Sequence, residues 1–133
     1  MNEKSKDAVR AFRKYARLGL TSGTLNPIQK YKRIDMMCVS RRSKLEMLAV
    51  FDTFRLLEIS GDQSTIYAVN SVYLRNLSHR LLRHDIGNAV RACATEQFCD
   101  ERTIYRRLEK ARELFLYLRK NEGLAWDGCR DEF

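Results

Sequence analysis

The sequence predicts an all-α, multi-helix bundle, and three observations carry that prediction. Apolar residues recur at the helical period through most of the 133 residues. One proline and six glycines are too few for the turns that an all-β sandwich needs about every 8–12 residues. No two runs of strand-like composition stand as convincing partners for each other. With 44% apolar and 32% charged residues, the chain can bury a core and lacks the composition of a disordered one. Its length fits one domain, or two small helical subdomains sharing a core.

The elements follow in order. Over 6–20, Val9, Phe12, Ala16 and Leu20 form one stripe, with Arg10, Arg13, Lys14 and Arg17 elsewhere on the wheel. Thr21-Ser22-Gly23-Thr24 breaks that helix. Asn26-Pro27 reads as an N-cap and a first-turn proline, and Ile28, Tyr31, Ile34 and Met37 or Cys38 continue a second helix. Ser40-Arg41-Arg42-Ser43 marks a boundary or kink, with Ser43 as a candidate cap. Ten of the fifteen residues from Leu45 to Ile59 are apolar, so this helix is expected at the centre, covered on most sides and ended by Gly61-Asp62. Residues 63–77 mix strand-like composition with a helical face of Ile66, Val69, Tyr73 and Leu77, and helix is the better reading. A polar connection over 76–80 leads to a short helix carrying Ile86, Ala89, Val90, Cys93 and Ala94. The last helix starts at an Asp100 N-cap, with Glu101 in its positive first turn, and buries Ile104, Leu108, Ala111, Phe115 and Leu118. Gly123 is the expected stop.

The expected organisation is an N-terminal helical region over 1–60, a helix-turn-helix region over 61–122 and an acidic tail over 123–133. Charge is unevenly placed along it. Residues 1–44 carry 12 basic and 3 acidic side chains, and residues 75–120 carry 11 and 6. The apolar middle and the C-terminal end are each net acidic. Arginine outnumbers lysine 17 to 8, and guanidinium is the better bidentate partner for phosphate and guanine edges. Such a surface attracts polyanions of any kind, and equally fits a plain solvated face.

Catalysis and cofactors find little support. No glycine-rich phosphate loop, nucleophile elbow or H-E-x-x-H helix is present. His79 and His84 lack a carboxylate cluster for Mg²⁺. Cys38, Cys93, Cys99 and Cys129 form no Cys-x-x-Cys pair, so neither a metal site nor a redox motif is expected. Cys93 and Cys99 are oxidisable in principle, with buried packing the simpler reading. Without a membrane-length apolar run or a secretory leader, a cytoplasmic protein is expected.

Residues 84–119 hold the informative unit: a short helix, a connection, then a capped helix whose first half is polar and arginine-rich. A helix-turn-helix needs this division, because its second helix buries one face and projects its opening residues into the DNA major groove. Ile104 and Leu108 would anchor inward. Arg102, Thr103, Arg106 and Arg107 would face groove or backbone, with Tyr105 beside them, and Arg91 or Lys110 would hold phosphates with the helix-start amides. The competing reading is a surface helix laced by local ion pairs such as Arg106 with Glu109.

The run from Asp100 to Arg112, with its E-R-T-hydrophobic-Y-R core and later alanine, resembles the recognition helix of sigma-factor region 4. It resembles more closely that of small phage transcriptional regulators of the ArpU and RinA type. The likeness is good over 84–119, faint over 60–83, and does not extend over 1–59. It implies a sigma-region-4-like helix-turn-helix that binds promoter DNA and modulates transcription, often of late phage genes. One departure stands out: Ala94 to Cys99 contains no glycine where such turns usually have one. Either the first helix continues to Phe98 or the turn is wider. Five successive apolar residues from Leu114 to Leu118 exceed one stripe, so part of them meets the N-terminal helices or a second subunit. Double-stranded DNA is the expected partner, with RNA polymerase and a homodimer partner as further expectations. The alternative is a helical protein-interaction module, or a sigma-like adaptor that binds polymerase without reading DNA. An RNA binder would need an exposed aromatic platform that the sequence does not suggest.

Overall fold

Side-chain oxygens set most of the helix starts, as the short polar residues before each apolar run dictate. The structure, a computed structural model, describes the backbone of residues 2–131 and the side chains of 2–121. Among these residues there are six helices and no strand: α1 (Glu3–Arg17), α2 (Pro27–Met37), α3 (Arg41–Ile59), α4 (Gln63–Val72), α5 (Arg83–Glu96) and α6 (Glu101–Asp131). The all-helical expectation holds, including α4, whose composition was mixed. None of the described helices is long and apolar enough to cross a membrane.

Asn2 caps α1, Ser40 caps α3 and Asp62 caps α4, each by accepting a backbone N–H three residues on. Asn26 and Gln29 form a reciprocal capping box at α2, with Pro27 in its first turn. Several boundaries differ from expectation. Ser40, not Ser43, caps α3, because Ser43 already lies in its first turn and donates its N–H to Ser40 Oγ. Helix α1 ends at Arg17 and not near Thr21. Gly19 takes a left-handed φ of 74°, and the Leu20 N–H returns to Tyr15 O, which ends the helix while folding Leu20 into the core. Helix α6 continues through Gly123, since a lone glycine weakens a helix by about 1 kcal/mol without ending it. Helix α3 is less covered than its composition suggests, because Leu56 and Ile59 are exposed.

One hydrophobic cluster joins α1 through α6, so residues on both sides of position 60 share a core. Phe12 sits at its heart, edge-on to Phe115 at 5.5 Å and 6.0 Å and 6.4 Å from the rings of Phe54 and Tyr73. Each such fully buried large side chain contributes roughly 1.5–3 kcal/mol. The apolar run of α6 is divided: Phe115 is buried against Phe12, Leu116 and Leu118 pack at the margin of the core, and Tyr117 is exposed. Helix α2 is the least engaged: of the inner stripe expected from Ile28, Tyr31, Ile34 and Met37 or Cys38, only Ile34 and the C-cap Cys38 are buried.

The connection between α4 and α5 has few hydrogen bonds of its own and is shaped from beneath by α1. Arg13 is only 5% exposed, and its guanidinium donates to Tyr73 O (2.6 Å), Arg75 O (3.0 Å), Asn76 O (3.1 Å) and His79 O (2.6 Å). Arg17 Nε adds a bond to Leu77 O at 3.0 Å. A planar cation with five donors suits such a task, because it satisfies several carbonyls that no helix ladder reaches.

Candidate nucleic-acid interface

The turn from α5 to α6 is tight despite its lack of glycine. Helix α5 stops at Glu96, the Cys99 N–H returns to Ala94 O (3.0 Å), and Phe98 adopts a left-handed φ of 53°. This is the Schellman arrangement, with Phe98 in the place where glycine is cheapest. Its ring is 96% exposed, so no burial offsets that backbone cost. Neither sequence alternative anticipated this, since glycine is the usual signal for a left-handed residue.

Asp100 then starts α6, accepting the Thr103 N–H (2.8 Å) and hydroxyl (2.9 Å) on one oxygen. Those bonds, backbone first and hydroxyl second, lower the Asp100 pKa against the opposing effect of burial, and Arg102 and Arg106 nearby lower it further. Ile104 and Leu108 are completely buried and fix the helix on its inner side, as the sequence expected.

The residues singled out in the sequence separate into two sets. Arg102, Tyr105 and Arg106 are exposed on the first two turns of α6, and neither arginine forms an ion pair among the described residues. Each of the others has a contact within the protein. Arg107 is half-buried, with Nη1 3.9 Å from Cys99 Sγ. The Lys110 ammonium is bound to the Asp62 carboxylate, tying α6 to the cap of α4. The Thr103 hydroxyl is used by Asp100, which leaves its methyl group for contact. Arg91 lies 3.9 Å from Glu101 and donates to Gly87 O at 3.4 Å. No ion pair joins two described residues of α6, so the local lacing considered for this helix is absent there.

Spacing places Arg102, Arg106, Glu109 and Glu113 along one exposed strip. The strip is therefore cationic at its start and acidic beyond the second turn. Asp100 and Glu101 precede the two arginines, so the opening of α6 places two exposed guanidinium groups directly after two carboxylates.

Other arginines important to the architecture were not singled out. Arg112 donates to the Tyr73 hydroxyl at 2.5 Å, and Arg119 lies 3.8 Å from Glu46, 3.9 Å from Asp7 and 5.5 Å from the centre of the Phe115 ring. Arg75, His79 and Arg80 line a cleft beside α5. The sequence shows them as a run of cations in a polar connection, without a periodicity that would have grouped them. No protein-family model, curated protein or solved structure matches the chain.

Proposed function

We propose that the protein is a sequence-specific, double-stranded DNA-binding transcriptional regulator that reads the major groove with the first two turns of α6. One observation carries this reading: Arg102 and Arg106 stand on an anchored, capped helix, exposed and without a direct ion pair among the described residues. A guanidinium fork so placed can bond guanine O6 and N7, for roughly 1–3 kcal/mol of discrimination per base. Tyr105 and the Thr103 methyl are the adjoining contacts, and Arg91 is the cation of α5 best placed for backbone phosphate. Arg107 and Lys110 act mainly within the protein. The likeness of residues 100–112 to phage ArpU- and RinA-type regulators points the same way.

Selection of bound duplexes from a random pool tests the proposal. An enriched motif whose binding weakens steeply with salt is the expected result. Recovery of unenriched sequence, with Arg106→Ala no weaker than Lys14→Ala, overturns it.

A second reading has its own support. Helix α2 and its end carry Ile28, Tyr31, Met36, Met37 and Val39 exposed, with Met36 at 82% and Val39 at 97%. So many large apolar residues on one short element favour a protein contact there. Recruitment of RNA polymerase or pairing of two copies would use this face while α6 holds DNA.

A further inference from the structure

The cleft between the α4–α5 connection and α5 has a volume of about 390 Å³ and is lined by Arg75, His79 and Arg80 on one side and Asp85 and Asn88 on the other. We propose that this cleft is a phosphate-binding site, separate from the reading face of α6.

Three features support the assignment. First, the lining carries Arg75, His79 and Arg80 against one carboxylate, Asp85, and neither arginine forms an ion pair through its side chain among the described residues. Second, the single carboxylate in the lining is already engaged. Asp85 accepts the Leu82 N–H at 3.0 Å and lies 3.2 Å from His84 Nε2, so its charge serves the start of α5. Third, the wall carrying the arginines is held in place. Arg13 draws in the carbonyls of Tyr73, Arg75, Asn76 and His79 from behind, and Asn76 takes a left-handed φ of 48°. A loop fixed in this way loses little further freedom when a ligand arrives.

Two arginines and an amide side chain in one lining offer more donors than a planar carboxylate needs, since one arginine suffices to hold that, and suit a tetrahedral oxyanion better. The phosphate has two possible sources: the backbone of duplex DNA seated on α6, or a free phosphate-bearing small molecule. The first rests on the function proposed above, and the second does not.

The experiment compares wild type with the Arg75→Ala/Arg80→Ala double variant, using Lys30→Ala/Lys32→Ala as a charge-matched control. In one arm the DNA-free protein is titrated with inorganic phosphate and with adenosine monophosphate, following the backbone amide resonances of His79 and Asn88. Saturable shifts lost only in the cleft variant identify a free phosphate ligand. In the other arm, affinity for the selected duplex is measured across salt concentrations. A slope of log affinity against log salt that falls by roughly 1–2 in the cleft variant, at about 0.9 per phosphate contact, identifies the DNA backbone. In that case the ratio of selected to scrambled DNA is unchanged, whereas Arg106→Ala reduces the ratio. Failure of the wild type to bind any duplex removes the function proposed above and leaves the first arm to decide. Cleft and control variants that behave alike in both arms overturn the phosphate site.

Discussion

The two basic stretches of the chain, 1–44 and 75–120, both mix cations committed to protein with open ones, and differ in where the open ones fall. In the first, Arg13 and Arg17 bond the carbonyls of a distant loop, Arg33 reaches Leu18 O, Lys14 bonds Ser43 and Lys44 pairs with Asp35. In the second, Lys110, Arg112 and Arg119 are also directed to protein, yet Arg75, Arg80, Arg102 and Arg106 are left without an ion pair among the described residues. Lys4, Lys30, Lys32 and Arg42 in the first stretch, and Arg83 and Lys120 in the second, likewise form no ion pair among the described residues. Arg75, Arg80, Arg102 and Arg106 are the ones that fall at the cleft beside α5 and the opening of α6. Net charge shows that a polyanion would be attracted. The partner of each individual cation shows where it could be held.

That contrast is most exposed to test at Arg13. Arg13→Ala leaves several buried carbonyls unbonded, and a stability loss of about 3 kcal/mol is expected in urea denaturation. A loss below about 0.5 kcal/mol, the usual range for a surface change, would break the distinction between committed and open cations. Arg106→Ala is its mirror image. Folding stability should stay within about 0.5 kcal/mol, while affinity for the selected duplex falls by roughly 1–3 kcal/mol, read by titration calorimetry.

A committed pair inside the second stretch sharpens the comparison. Burial acts to raise the Asp62 pKa, but hydrogen bonds from Lys110, Thr65 and Ser64 outweigh it and hold the carboxyl at about 2. The folded-state value lies below the unfolded one near 4, so its stabilising effect is full above about pH 4 and is lost as pH falls toward 2. Asp62→Asn should cost about 1 kcal/mol at neutral pH, allowing for the solvent exposure of Lys110. Its difference from wild type should shrink between about pH 4 and 2 in acid denaturation. The smallest effect is expected at the turn. Phe98→Gly relieves a left-handed backbone without losing burial, and thermal denaturation should show a gain of about 0.5–1 kcal/mol. A loss instead would mean that the exposed ring supports the turn.

Much of the fold was legible because its signals are local. The caps Asn26 and Asp100 and the stripe Ile104, Leu108, Ala111 and Phe115 all lie within one or two helical turns of the residues they specify. The less legible parts depend on partners far along the chain. Arg13 looked like one more solvated cation on an amphipathic helix, and only the arrival of a loop about sixty residues later makes it a structural centre. Arg107 and Lys110 were grouped with Arg106 for the same reason, since the positions of Cys99 Sγ and of Asp62 relative to α6 come from helix packing. On the first turns of α6, the exposure of Arg102 and Arg106 follows directly from the buried stripe opposite them.

The position of Phe12 and Arg13 also bears on any attempt to shorten the protein. A chain cut near residue 60 to isolate α4, α5 and α6 would lose the ring that meets Phe115 and the cation beneath the α4–α5 loop. Moving α6 and its two neighbours into a new host therefore requires either the first fifteen residues or a designed substitute for them.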